Sequence, residues 1–142
     1  MRGVIIVGVD GSETSMRAGA YAVGLARREN RRLVGVFVRP LTASVLSFAD
    51  PFGASIASAF AMHEAVETEF RDSVQRDRPG LDADFEIITR QGDPFAELCR
   101  AAAELWADAV IVGRSQSAVH RIAGSVAQRL VRCGRWPVTV VP

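Results

Sequence analysis

The sequence predicts an α/β fold, a doubly wound five-stranded parallel sheet with helices on both faces. Five short apolar runs lack polar alternation, which is typical of strands that are buried on both faces. Segments of helical periodicity stand between the runs, as the crossovers between parallel neighbours require. The length of 142 residues is close to the commonest size of one domain, so we expect a single domain over 1–142.

The five apolar runs are the predicted strands. They are Val4–Val9, Leu33–Val38, Phe85–Ile88, Ala109–Val112 and Val138–Val141. The first run is too short for a signal peptide or a membrane span, and no later run approaches the length of a span. We therefore expect a cytoplasmic protein that does not enter a membrane.

Four helices are predicted between and after these strands. They open at Ser12, near Ala57 (running to about Arg76), at Asp93-Pro94 and near Gly124-Ser125. Ser and Asp are good N-caps, Pro is favoured at the first helical position, and Gly134 is expected to cap the end of the last helix. The buried side of the last helix is expected to comprise Val126, Ala127, Leu130 and Val131.

Two further segments carry expectations of their own. Cys99 and Cys133 fall in helical segments without a C-x-x-C motif, and we expect reduced, buried thiols. The stretch from Pro40 to Ser58 is either a surface connection into the second helix or a flap beside a site.

The composition excludes several classes of chemistry. All 17 basic residues are Arg, and without Lys there is no Walker A loop, no pyridoxal Schiff base and no kinase strand lysine. The net charge of +1 gives the chain no field that would attract nucleic acid. No acidic residue follows Asp108, whereas five arginines do: Arg114, Arg121, Arg129, Arg132 and Arg135. This asymmetry indicates either a basic surface or an anion site.

A ligand site is expected at the carboxyl edge of the sheet, where the winding direction reverses. Strands one and four should be neighbours there, which places the turn Asp10–Ser12 opposite the loop that begins at Gly113. Gly113 and Gly124 would allow close approach of the backbone, and Ser125 precedes a helix whose free N–H groups favour an anion such as phosphate. Structural roles stay open as well, since Ser125 and Gln128 fit a capping box and Asp10–Ser12 fits ordinary turn chemistry.

The order and spacing of several motifs resemble the universal stress protein family. Val7–Ser12 and Val36–Val38 resemble its opening, and Trp106–Gly113 resembles its fourth strand. Gly124–Ala127 and Trp136–Pro142 resemble its last helix and strand. The resemblance covers nearly the whole chain and is weakest from about 40 to 84.

This resemblance implies a Rossmann-like fold of the adenine nucleotide alpha hydrolase type and a regulatory module that binds ATP or AMP. Mg²⁺ would enter, if at all, bound through the nucleotide. The backbone near Val38 would meet adenine, and the backbone of Val126 would meet phosphate. The implied binding residues are Val9, Asp10, Gly11, Ser12, Val38, Gly113, Arg114, Ser115, Gly124, Ser125 and Val126.

The chain departs from the glycine motif of the ATP-binding members. Gln116 stands at the second glycine, and only seven residues separate it from Gly124, where the family motif has nine. The phosphate cradle must therefore be tighter or differently shaped. Arg114, His120 and Arg121 could supply charge there, or could equally be solvated loop residues.

The sequence leaves two other functions to consider. One is a dimeric interaction protein of the same fold that binds no nucleotide, because the last strand would be an exposed edge, and this strand commonly forms homodimers in the family. The other is an enzyme. Gly113–Ser117 faintly resembles a nucleophile elbow, but its final Gly is absent, and neither His63 nor His120 follows in a suitable context. We expect no catalysis beyond slow ATP hydrolysis, and no metal-ligand cluster.

Overall fold

Five parallel strands form one sheet. The computed structural model describes residues 1–39, 64–65, 67–72, 75–76, 85–115 and 125–142. The strands are β1 (Val4–Val9), β2 (Arg32–Arg39), β3 (Phe85–Gln91), β4 (Ala107–Gly113) and β5 (Val138–Val141). Their order is β3-β2-β1-β4-β5, and every neighbouring pair is parallel. The winding reverses between β1 and β4, so the predicted fold class and the predicted neighbours are confirmed.

Strands β2, β3 and β4 are longer than their apolar runs. Arg32 pairs with Val4, and Arg39 pairs with Gln91, so polar residues extend the ladders at both ends of β2. An apolar run marks only the part of a strand whose side chains are buried. Backbone pairing continues beyond it, because the ladder hydrogen bonds do not depend on the side chain.

Three helices have described bounds, namely α1 (Glu13–Glu29), α2 (Pro94–Glu104) and α3 (Val126–Cys133). Each begins after a predicted cap, since the side chains of Ser12, Asp93 and Ser125 accept a hydrogen bond from the backbone three residues later. Residues 64–65, 67–72 and 75–76 are helical as well, within the second predicted helix. Its expected start at 57–63 and the stretch from Pro40 to Ser58 lie outside the described residues. No helix in the described ranges is long and apolar enough to cross a membrane.

The sheet is covered on both faces, as a doubly wound fold requires. Alternate residues of a strand point to opposite faces, and β1 divides accordingly. Ile5, Val7 and Val9 pack in one core with α1 and with Phe70 of the helical stretch before β3. Val4 and Ile6 pack in a second core with α2 and α3.

Two expectations about burial were wrong. Val131 is 56% exposed, whereas Ala127 and Leu130 are buried. Val131 follows Leu130 by one residue, and a helix turns about 100° per residue, so the side chain points away from the core. Cys99 and Cys133 are free thiols, as expected, but both are only partly buried.

Candidate functional site

A cavity of about 510 Å³ opens at the carboxyl edge of the sheet, beside the point where β1 and β4 diverge. This volume lies within the range that small-molecule sites occupy. The ends of β1, β2 and β4 form its floor, and the first turns of α1, α2 and α3 form its walls. Its lining residues are Gly8, Val9, Asp10, Ser12, Thr14, Ser15, Val36, Val38, Asp93, Pro94, Leu98, Val112, Gly113, Arg114, Ser115, Val126, Ala127 and Arg129.

Most of the residues that the sequence singled out lie at this cavity. Those in its lining are Val9, Asp10, Ser12, Val38, Gly113, Arg114, Ser115 and Val126. Gly11 and Ser125 adjoin it without forming part of the lining. Gly124 lies outside the described residues, as do Gln116, Ser117, His120 and Arg121 of the same loop.

The turn between β1 and α1 satisfies its own polar groups. The Ser12 amide donates to Asp10 Oδ1 at 2.8 Å, and the Ser15 amide donates to Ser12 Oγ at 3.2 Å. The Ser15 hydroxyl in turn donates to the Ser12 carbonyl at 2.9 Å. Gly11 between them has φ of 82°, which glycine adopts without strain. The ordinary turn role that the sequence left open for Asp10–Ser12 is therefore present.

Gly113 is needed for packing on α1. A Cβ at this position would lie 2.5 Å from the carbonyl carbon of Thr14 and 2.7 Å from the amide nitrogen of Ser15. Both are backbone atoms at the start of α1, so the clash could be relieved only by a costly shift of the helix. The absent side chain thus lets the end of β4 touch α1, a role that requires no ligand.

The backbone of Arg114 is held from two sides. Its carbonyl accepts a hydrogen bond from Thr14 Oγ1 at 2.7 Å, and its amide donates to the Val141 carbonyl at 2.7 Å. The residue itself is exposed and lines the cavity. A flexible cationic side chain therefore extends from a rigid base at the cavity rim.

The start of α3 combines a capping box with two open amides. Ser125 Oγ accepts from the Gln128 amide at 3.2 Å, and Gln128 Oε1 accepts from the Ser125 amide. The structural role left open for this pair is therefore present. The next two amides, those of Val126 and Ala127, have no acceptor among the described residues, and both residues line the cavity. The first turn of α3 contains no acidic residue that would compensate the positive end of the helix dipole.

Arg129 connects α3 to α2 across one wall of the cavity. Its Nη1 lies 3.3 Å from Asp93 Oδ1, and its guanidinium lies 4.3 Å from the centre of the Phe95 ring. From the sequence, Asp93 was predicted only as a helix cap, and Arg129 was one of five arginines that indicate either a basic surface or an anion site. The available signals were that Asp93 follows the carboxyl end of β3 and that Arg129 lies three residues after Val126, on the same side of α3.

Val38 lies where β2 runs past the end of β1. The last pair of the β1–β2 ladder is Val9 with Phe37. The Gly92 amide donates to the Arg39 carbonyl at 2.9 Å, so Arg39 faces β3. Backbone groups alternate sides along a strand, and the carbonyl of Val38 therefore faces the β1 side, past that last pair and beside the cavity.

No metal centre is apparent in the part of the chain that the structure describes. Within these ranges, no group of three or more His, Cys, Asp or Glu side chains is placed to hold a metal ion.

Comparison with known proteins places this geometry in a family. The profile of the universal stress protein family matches residues 1–142. No curated protein matches the chain in sequence.

Solved structures of the same family share the fold. A universal stress protein in complex with cAMP is 24% identical, with a TM-score of 0.73 over 99% of this chain and 96% of that chain. A family protein from Burkholderia pseudomallei is 29% identical, with a TM-score of 0.71 and the same coverage. The universal stress protein of Archaeoglobus fulgidus in complex with dAMP is 16% identical, with a TM-score of 0.69 over 100% of this chain and 98% of that chain.

Proposed function

The chain belongs to the universal stress protein family, and we propose that it is a regulatory module that binds an adenine nucleotide, ATP or AMP, at the carboxyl edge of its sheet. One observation carries the proposal. The cavity combines an apolar floor with the carbonyl of Val38, the open amides at the start of α3, and two arginines in its lining. Related structures in complex with cAMP and dAMP support the choice of an adenine nucleotide.

The apolar floor suits the base. Val36, Leu98 and Val112 contribute aliphatic side chains to the lining. The carbonyl of Val38 is an acceptor for an exocyclic amino group such as that of adenine. A guanine base would present a carbonyl in the equivalent place, so this acceptor favours adenine.

The start of α3 suits the phosphates. Open N–H groups at a helix N-terminus bind phosphate, and here Val126 and Ala127 supply them. Arg114 and Arg129 line the same cavity and can form charge-assisted hydrogen bonds to phosphate oxygens. Asp10, exposed at the opposite rim, could contact a magnesium ion that arrives with the phosphates.

The proposed activity is binding rather than catalysis. Among the described residues, the cavity lining contains no His, Cys or Lys, and its two carboxylates have structural partners. Asp10 accepts from the Ser12 amide, and Asp93 caps α2 while it pairs with Arg129. Slow hydrolysis of ATP would then be a side reaction of the bound nucleotide, without a dedicated general base.

A nucleotide screen by thermal denaturation tests the proposal. The melting temperature is measured with ATP, ADP and AMP, each with magnesium, and with GTP and ribose 5-phosphate as controls. A ligand at about 100 times its Kd adds roughly 2.7 kcal/mol, which raises Tm by about 8 °C at about 3 °C per kcal/mol. We expect this rise with at least one adenine nucleotide and a much smaller one with the controls. An unchanged Tm with all three adenine nucleotides at millimolar concentration would overturn the proposal.

A second function, homodimerisation through β5, rests on a different observation. Within the described residues β5 pairs only with β4, so its other side is an edge with unpaired backbone groups. Val140 on this strand is 40% exposed. An apolar residue on an open edge is suited to pairing with a second copy of the chain.

The molar mass in solution tests this second function. We expect a dimer in light scattering at micromolar concentration, and a monomer after Val140→Lys, because a lysine on the edge opposes strand pairing. Val131→Lys, at another exposed valine on α3, is the matched control and should leave the mass unchanged. A wild-type monomer at this concentration would contradict dimerisation while leaving the nucleotide proposal untouched.

A further inference from the structure

The two cysteines of the chain lie on neighbouring helices that run in the same direction. Cys99 is on α2 and Cys133 is the last residue of α3, and both helices pack on the same face of the sheet. The register of the helices is marked by the contact between the Phe95 ring and the Arg129 guanidinium. Cys99 follows Phe95 by four residues, and Cys133 follows Arg129 by four. The two thiols are therefore placed opposite each other one helical turn further along.

The surroundings of the thiols agree with this register. The Cys133 thiol donates to the Leu130 carbonyl at 3.1 Å, and Cys99 packs against the core that α2 and α3 share. Burial, followed by the nearby Cys133 thiol, raises the pKa of Cys99. Two free thiols thus lie near each other, although 34 positions (from 99 to 133) separate them in sequence.

We propose that Cys99 and Cys133 form an oxidisable dithiol, a modification site at which a peroxide produces an intramolecular disulfide between α2 and α3. Both thiols are partly exposed, so a small oxidant can reach them. Their position one helical turn beyond the contact between Phe95 and Arg129 would let them meet without unfolding of either helix. This inference does not depend on nucleotide binding, because the thiols lie outside the cavity lining.

The reaction balances with hydrogen peroxide as the oxidant. One thiolate attacks a peroxide oxygen, the O–O bond breaks, and a sulfenic acid and one water result. The second sulfur then attacks the sulfenic sulfur, the S–S bond forms, the S–O bond breaks, and a second water leaves. The two thiols lose two electrons and two protons, and the peroxide gains them as it becomes two waters.

Mass spectrometry tests the cross-link directly. The full chain is treated with hydrogen peroxide, its remaining thiols are alkylated under denaturing conditions, and it is digested with trypsin. We expect the peptide Gln91–Arg100 joined to the peptide Cys133–Arg135, and their separation after dithiothreitol. Only sulfinic or sulfonic products on separate peptides, or only cross-links between two chains, would overturn the proposal.

Thermal denaturation supplies a second readout. A disulfide that closes a loop of about 35 residues should raise Tm by up to about 10 °C, and dithiothreitol should reverse the rise. Cys99→Ser and Cys133→Ser are the matched controls, each with one thiol left, and neither should show the peroxide-dependent rise. Either variant alone suffices as control if the other folds poorly. A Tm that peroxide leaves unchanged in the wild type, with both thiols still alkylated, would also overturn the proposal.

Discussion

The starts of α1 and α3 lie at the same edge of the sheet and border the same cavity; they leave the same backbone amides open but differ in charge. At α1, Asp10 accepts the Ser12 amide and Ser12 Oγ accepts the Ser15 amide. The amides of Glu13 and Thr14 between them have no acceptor among the described residues, and the Glu13 carboxylate compensates the helix dipole. At α3, the capping box binds the amides of Ser125 and Gln128 and leaves those of Val126 and Ala127 open among the described residues.

The two helix starts are distinguished by the charge around them. At α1, the Asp10 carboxylate lines the cavity and Glu13, in the first turn, pairs with Arg17. At α3, the first turn has no acidic residue, and Arg129 lines the cavity while it pairs with Asp93. The carboxylates at α1 would oppose a phosphate more than the start of α3 does. The comparison shows that, of two helix starts with the same open amides, the one without an acidic residue in its first turn is the better candidate anion site.

The largest expected effect is on stability, and it comes from replacing Gly113, where the end of β4 packs on the start of α1. Gly113→Ala puts a Cβ against the backbone of Thr14, so the end of β4 and the start of α1 must separate. We expect a loss of about 3 kcal/mol in unfolding free energy and a fall in Tm of about 9 °C. Gly24→Ala on α1 is the control, because its Cβ would meet only the end of the Arg28 side chain and alanine favours helix. If Gly113→Ala melted like the wild type, the packing role of Gly113 would be wrong.

The next largest effect is on nucleotide affinity, and it tests the role of positive charge at the cavity rim. Arg114→Gln removes a cation at the cavity rim while the backbone bonds to Thr14 and Val141 remain. We expect the Kd for ATP, measured by calorimetry, to rise about tenfold, which corresponds to about 1.4 kcal/mol for one charge-assisted hydrogen bond. The rise should be smaller for AMP, which has fewer phosphate oxygens to contact.

Arg132→Gln is the matched control for this measurement. Arg132 is exposed on α3 and does not line the cavity, so its replacement should change the Kd by less than twofold. Equal losses from Arg114→Gln and Arg132→Gln would mean that only the general positive charge matters, and the assignment of phosphate to the start of α3 would then fail.

The smallest expected effect compares the two serine caps. Ser12→Ala and Ser125→Ala each remove an N-cap hydrogen bond, and each should cost about 1 kcal/mol, or about 3 °C in Tm. Their effects on ATP binding should differ. Ser125→Ala loosens the helix start at which we propose phosphate binding, so it should raise the Kd by more than Ser12→Ala does. The reverse order would place the phosphates at α1.

Much of the fold was predictable because it depends on local patterns. The apolar runs located all five strands, and Ser12, Asp93 and Ser125 located the three helix starts, since caps and periodicity act over a few residues. The ends of β2, β3 and β4 were not predictable in this way, because polar residues continue a ladder when a neighbouring strand is present. Val131 was wrongly assigned to the buried side of α3, because the sequence does not show which of its neighbouring apolar residues, Leu130 or Val131, faces the sheet.

The candidate site was likewise predictable only where it depends on local patterns. Asp10, Gly113 and Val126 were predicted because each follows a strand or opens a helix, and the edge of a parallel sheet collects such positions. Arg129 and Asp93 were missed as a pair, since they lie 36 positions apart and meet only because α2 and α3 pack side by side. The same packing places Cys99 near Cys133, and no local sequence motif indicates that proximity.

The sequence by itself determined how strands and helices follow one another along the chain and where the helices are capped. It also determined the absence of lysine chemistry and the basic character of the C-terminal third. These properties follow from composition and from interactions between residues close in the chain. Only the tertiary structure decided which polar groups are already satisfied, why Gly113 must be glycine, and which residues of α2 face α3. Those properties depend on contacts between distant segments, and such contacts exist only once the sheet and its helices have packed.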